Sequence, residues 1–128
     1  MTPKDFALFQ DHGYRGLYAG ETACMIAARK GVKPGTILDH MGSTELAANL
    51  FRATQTEEKR QREGITGKDA ANRMHHAVGK EVRDTIQRLG GTMPEDLPTP
   101  VQSIQQLQRQ EQQRLAAERQ PTLFEEES

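Results

Sequence analysis

At 128 residues the chain has room for one modest domain and a tail, and its hydrophobic share of 34% is low for a compact globule. There is no Trp and only 5% of residues are aromatic, so a core must come from Leu, Ile, Val, Met and Ala, which suits packed helices better than a β-sandwich. The formal net charge of −1 argues against nucleic acid when taken whole, yet it is unevenly placed. Residues 52–89 hold nine Lys/Arg against six Asp/Glu, while Glu125, Glu126 and Glu127 crowd the end, so a mildly basic body with an acidic tail permits contact with DNA without requiring it. No apolar run approaches the ~20 residues that span a bilayer, and Lys4 and Asp5 stand where a signal peptide would be apolar. The single cysteine, Cys24, excludes an internal disulfide, fits a reducing cytoplasm and is expected as a small core residue beside Met25 and Ile26.

Thr2-Pro3 with Asp5 reads as a cap, a first-turn proline and a first-turn acid, opening a short helix that carries Phe6 and Phe9 and is expected to end near Gly13. Gly13 to Gly20 then reads as a glycine-rich turn displaying Tyr14, Arg15 and Tyr18. A second short helix is expected over Glu21 to Lys30, closed by Gly31, and a third, capped by Thr36, through Ile37, Leu38 and Met41 to Gly42. Ser43 should cap a long fourth helix. Leu46, Ala47, Leu50, Phe51 and Ala53 give its first half one apolar face, and the stretch from Gln55 to Glu63 has no apolar residue. Thr66 with Asp69 resembles a capping box for a fifth helix, in which Ala71, Met74, Val78, Val82, Thr85 and Leu89 recur at spacings of three and four up to Gly90-Gly91.

Three prolines within Met93 to Pro100 make that stretch an extended connector. Thr99-Pro100-Val101-Gln102 is expected to open a sixth, Gln-rich helix whose apolar positions are Val101, Ile104, Leu107 and Leu115. No strand signal competes. The expected fold is all-α: a compact bundle of about five helices, a Gln-rich C-terminal helix and a short acidic tail. Residues 1–92 form the helical domain, 93–100 the connector, 101–119 the last helix and 120–128 a flexible tail. The core is expected between the fourth and fifth helices, from Leu46, Leu50, Phe51, Met74, Val78, Val82, Ile86 and Leu89.

Candidate chemistry is sparse. Zinc needs converging ligands, and His12, His40, His75 and His76 offer no such spacing; the adjacent pair points about 100° apart on a helix, so neither a metal nor another cofactor is expected. Asp11-His12 and Asp39-His40 fit caps and turn hydrogen bonds better than a general base, since no nucleophile accompanies them. Gly13 and Gly16 lack the Lys-Ser/Thr ending of a phosphate loop. On the expected turn, Tyr14 and Tyr18 could stack on single-stranded DNA bases with Arg15 meeting a phosphate, though two aromatics and one cation suit packing better. Arg52, Lys59 and Arg62 fall on neighbouring parts of one helix face, which could meet phosphates or an acidic protein surface; the interleaved Glu57, Glu58 and Glu63 also suit a solvated face with ordinary i,i+4 pairs. No catalytic residue stands out, and the chain reads as a non-enzyme. In the tail, Gln120-Pro121-Thr122-Leu123-Phe124 resembles the Gln-x-x-Leu-Phe pentapeptide with which bacterial DNA-handling proteins dock on the sliding clamp, a glutamine at the edge and a Leu-Phe pair for an apolar pocket; the alternative is a bland tail whose Leu-Phe pair folds back on the sixth helix.

Three stretches carry a broader resemblance: Thr2-Pro3-Lys4-Asp5-Phe6-Ala7-Leu8-Phe9 running on to Tyr18, the run from Ile37 to Lys59, and Gly90-Gly91-Thr92-Met93-Pro94-Glu95-Asp96-Leu97 with Ser103-Ile104 and Gln106-Leu107 beyond. In order and spacing they resemble the bacterial DNA damage-inducible protein D (DinD) family over roughly Thr2 to Leu107. The resemblance implies a cytoplasmic, non-enzymatic modulator of recombination and repair in the SOS response, with RecA or its single-stranded DNA filament as partner. Family members usually carry a BRO-type domain ahead of the Thr-Pro-x-Asp-Phe segment, whereas Met1 stands directly before it here. The chain is therefore expected to be the family's second half, and activity housed in the other domain does not carry over. Two other classes stay open at this point: a mobile-element protein that blocks a host defence complex, and a DNA-binding regulator. The oligomeric state is not legible in the sequence.

Overall fold

The computed structural model describes residues 2–101 and 103–127, of which residues 119–127 are described in backbone only. Five α-helices follow one another: α1 (Pro3–Leu17), α2 (Ala23–Lys30), α3 (Ser43–Arg62), α4 (Lys68–Arg88) and α5 (Ile104–Glu127), with 3-10 turns at Pro34–His40 and Pro94–Asp96. No strand occurs among the described residues, so the chain is an all-α bundle. None of its described helices is long and apolar enough to cross a membrane.

α1 opens as its sequence dictates. The Asp5 amide donates to Thr2 Oγ1 and the Thr2 amide to Asp5 Oδ2, both at 3.1 Å. The helix does not stop near Gly13, however. It runs through Gly13 and Gly16 to Leu17, so the expected glycine turn is helix. Each glycine costs such a helix about 1 kcal/mol relative to alanine, and packing offsets it. A Cβ on Gly79 of α4 would lie 2.6 Å from the Gly13 carbonyl oxygen and 3.0 Å from the Leu17 amide, and one on Gly16 would lie 2.9 Å from the Lys80 amide. The three glycines let α1 and α4 meet backbone to backbone. That crossing organises the bundle.

Several caps fall elsewhere than the sequence implies. α2 begins at Ala23 behind the Thr22 cap, two residues after Glu21, and ends at the left-handed Gly31. Residues 34–40 form a 3-10 turn, and Thr36 donates back to the Lys33 carbonyl at 2.8 Å instead of capping an α-helix. Ser43 and Thr66 do not cap α3 and α4, whose cap positions are Gly42 and Gly67 with no side-chain bond. α5 starts later than Thr99-Pro100 implies. Ser103 and Gln106 form its reciprocal cap, at 2.8 and 3.1 Å, while Thr99 accepts from Lys30 Nζ at 3.2 Å and Val101 is fully exposed. The connector ahead of α5 is pinned by Arg83, which grips both carboxylate oxygens of Glu95 at 2.7 and 2.8 Å and also donates to the Leu17 carbonyl.

The core is not where the apolar periodicity of the two long helices places it. Leu17, Tyr18, Ile26, Ala27, Ile37, Met41 and Val82 form its centre, so it lies between α1, α2, the first 3-10 turn and α4. Of the expected residues, Met74 and Val82 are buried and Leu46, Val78 and Ile86 partly so. Leu50, Phe51 and Leu89 remain 52%, 55% and 80% exposed. Cys24 is exposed as well, not a core residue. The reason is that α3 turns a polar face inward.

Candidate functional site

Glu45, Asn49, Arg52 and Thr56 lie at spacings of four, three and four on α3, and all four are buried. They build a continuous polar thread through the bundle. Lys30 Nζ of α2 donates to Glu45 Oε1 at 2.7 Å, and Tyr18 Oη, at the C-terminal cap of α1, donates to Glu45 Oε2 at 2.5 Å. Asn49 Nδ2 donates to Tyr18 Oη at 2.9 Å, and Arg52 Nη2 to Asn49 Oδ1 at 3.2 Å. Arg52 Nη1 then meets His75 Nε2 of α4 at 2.5 Å, and His75 Nδ1 lies 2.8 Å from the Phe9 carbonyl. A carbonyl can only accept, so Nδ1 carries the imidazole proton and Nε2 accepts from the guanidinium.

Burial and the neighbouring Arg52 charge pull His75 down to about 4, so its neutral form is the one housed. Burial, with Glu45 adding to it, raises Tyr18 well above the usual phenol range and keeps it a donor. Burial likewise lowers Arg52. The thread thus holds two cations, Lys30 and Arg52, against one carboxylate, Glu45. No carboxylate pairs with Arg52 among the described residues; the Tyr14 ring lies 4.7 Å from its guanidinium carbon, a cation–π contact. Arg52 Nε and Asn72 Oδ1 have no hydrogen-bond partner among the described residues.

This thread corrects three of the surface assignments made from sequence. Tyr14 and Tyr18 are 6% and 1% exposed and cannot stack on bases, because the helix that replaces the expected turn rotates both inward. Arg52 is 2% exposed and cannot contact a partner. The structure does bring Tyr14, Tyr18 and Arg52 together, but inside. Arg15 stays exposed in the last turn of α1. Asp11 and Asp39 serve as caps, accepting from the Ala23 amide at 2.9 Å and the Gln105 amide at 3.0 Å. Among the described residues no three His, Cys, Asp or Glu side chains gather in a metal-binding group.

An inward polar face leaves apolar residues of α3 outside. Phe51 sits at the edge of an open groove of about 740 Å³ between α3 and α4, whose apolar lining includes Ile65, Met74, Ala77, Val78 and Val82. Lys59 and Arg62 stand on its rim with Arg73, a residue the sequence analysis did not single out, and Glu63 and Glu81 add negative charge. Lys59 pairs with Glu63 at 3.5 Å and Arg62 with Glu58 at 2.5 Å, both along their own helix and exposed to solvent. Such pairs contribute little to stability, so the rim charges can be re-partnered at small cost. Arg73 makes no ion pair among the described residues. Gln120, Leu123 and Phe124, the clamp-like motif, lie outside the residues whose side chains are described.

Residues 1–107 match a family model described as the DinD C-terminal domain. Over 108 residues the chain is 64% identical to DNA damage-inducible protein D of Escherichia coli strain K12, a match that covers 84% of this chain and 39% of that relative. The chain thus spans about two fifths of the length of the curated relative it matches. No solved structure matches it.

Proposed function

The chain belongs to the DinD family through its C-terminal domain, and on that premise we propose that it is a non-enzymatic modulator of DNA repair and recombination in the SOS response, acting by docking on RecA or on the RecA filament formed on single-stranded DNA. The observation that carries the reading is the open α3–α4 groove, an apolar floor beside the half-exposed Phe51 with Lys59, Arg62 and Arg73 at its rim. A monomer gains nothing from leaving Phe51 outside, whereas a partner that covers it gains an aromatic anchor ringed by charge. The relative's name ties it to induction by DNA damage, which supports the setting. With Tyr14 and Tyr18 buried, contact with DNA is expected to run through the protein filament and not through base stacking.

The tail supplies a second contact in this reading. Gln120, Leu123 and Phe124 carry the clamp-like pattern, and a peptide of this kind binds an apolar pocket with about micromolar affinity, near −8 kcal/mol. The test is to immobilise the chain and present purified RecA, RecA assembled on single-stranded DNA, and the sliding clamp in turn. RecA or its filament should be retained by the parent chain, and the clamp by the parent but not by L123A/F124A. Retention of neither RecA species would overturn the proposal, and loss of the clamp contact alone would remove only the tail's part in it.

A further inference from the structure

The groove and the tail are complementary to each other. α5 is held to the body at its first turn, where the Gln105 amide donates to Asp39 Oδ1, and residues 105–118 are all exposed. Its 24 residues make a rod of about 36 Å at 1.5 Å per residue. Residues 105–118 take no part in lining the groove of their own chain, so the rod does not lie along it. The chain beyond Leu115 carries a single large apolar pair, Leu123-Phe124, followed directly by Glu125, Glu126 and Glu127. The groove has the opposite character: an apolar floor, an exposed Phe51 and three rim cations against two rim carboxylates.

We propose that the groove between α3 and α4 receives the Leu123-to-Glu127 segment of a second copy of this chain. Leu123 and Phe124 cover Phe51 and the groove floor, and the glutamates meet Arg73 and the paired Lys59 and Arg62 at the rim. Two copies that exchange tails each fill the other's groove, which closes the assembly as a symmetric pair and leaves no open end for growth. Self-association then occupies the same surface that the functional reading assigns to RecA, so a free chain and a docked one differ in whether the groove is already filled. Pairing of this kind involves the chain alone and needs no RecA.

The test is sedimentation equilibrium of the full chain at about 50 mM and again at about 500 mM salt, where exposed charges are screened. The parent should dimerise in a concentration-dependent way, less tightly at high salt. L123A/F124A should dissociate at least about tenfold more readily, as loss of a central anchor pair requires, with an unchanged melting temperature. Arg73→Glu should also weaken the dimer, and converting Glu125, Glu126 and Glu127 to Lys in the same chain should restore it. A parent that stays monomeric up to about 1 mM, a concentration at which even weak specific pairs form, would overturn the inference. So would a dimer that L123A/F124A leaves intact, which would place the contact on the part of α5 ahead of Leu123, or an Arg73→Glu chain that the tail reversal fails to rescue. Each of these results leaves RecA binding by the parent untouched and separately measurable.

Discussion

Arg52 Nη1 meets His75 Nε2 at 2.5 Å inside the bundle, a buried cation resting on a neutral imidazole. The contact joins α3 to α4 and, through the Phe9 carbonyl, to α1. It works only while His75 is neutral, since protonation would set two positive charges side by side away from water. Fold and pH response are therefore linked at one atom pair.

Acid should destabilise the protein across a defined window. In the folded chain His75 is held down at about 4, against an ordinary 6.5 in the unfolded chain. Between those values the unfolded state binds the extra proton, so the stability His75 contributes is complete above 6.5 and is lost as pH falls toward 4. A shift of this size corresponds to about 3 kcal/mol. Chemical denaturation at pH 7 and pH 4.5 should show a fall in unfolding free energy that His75→Gln largely removes. An equal fall in the variant would assign the acid response to other groups.

Glu45 is the sole carboxylate of the thread, shared by Lys30 and Tyr18. Glu45→Ala leaves a buried ammonium without its counter-ion and a buried phenol without its acceptor, a loss of about 3–5 kcal/mol. Glu45→Gln keeps the shape and one acceptor, so it should lose less. Urea unfolding of the two variants should rank them in that order, and near-parent stability for Glu45→Ala would contradict the thread as a buried network.

The α1–α4 crossing makes Gly79 and Gly16 intolerant of any side chain. The nearest atoms to an added Cβ are backbone, which cannot swing aside. Gly79→Ala should therefore cost at least the upper end of the ~1–3 kcal/mol typical of overpacking, even though alanine is the better helix former. Gly35, whose added Cβ meets nothing, serves as the control. Equal melting temperatures for the two alanine variants would refute the close approach.

Leu50 and Phe51 should matter little for folding. Both are more than half exposed, so replacing them with Ala should shift stability by about 0.5 kcal/mol or less, as for other surface changes. Val82 lies in the core. Burial of an aliphatic side chain there stabilises by about 1.5–3 kcal/mol, and an added carboxylate costs more. Val82→Asp should abolish cooperative unfolding. The reverse ranking would restore the core to the face of α3 that carries Leu50.

The helical class, the opening of α1, and the endings of α2 and α4 at Gly31 and Gly90 were legible because capping and glycine chemistry are local. The inside of the bundle was not. Apolar periodicity on α3 points to Leu46, Leu50 and Phe51, whereas Glu45, Asn49, Arg52 and Thr56 repeat at the same spacing and carry their own signal of a buried stripe. Which stripe turns inward depends on distant partners, Tyr18, Lys30 and His75, that no window of sequence contains. Gly13 and Gly16 misled in a related way: alone they read as a turn, and only Gly79, 63 residues after Gly16, makes them a helix crossing. Lys59 and Arg62 were legible as exposed charges, while their place at a groove required α4.

The most direct test of the account is the affinity of the chain for RecA filaments on labelled single-stranded DNA, compared between the parent and Phe51→Ser/Lys59→Glu/Arg62→Glu. All three positions are solvent-facing or half-buried on the groove rim, so the variant should keep the parent's melting curve. At about 50 mM salt the parent should bind saturably and the variant at least about tenfold more weakly, a difference of ~1.4 kcal/mol or more. Equal affinity for the two chains, or no binding by the parent, would contradict it.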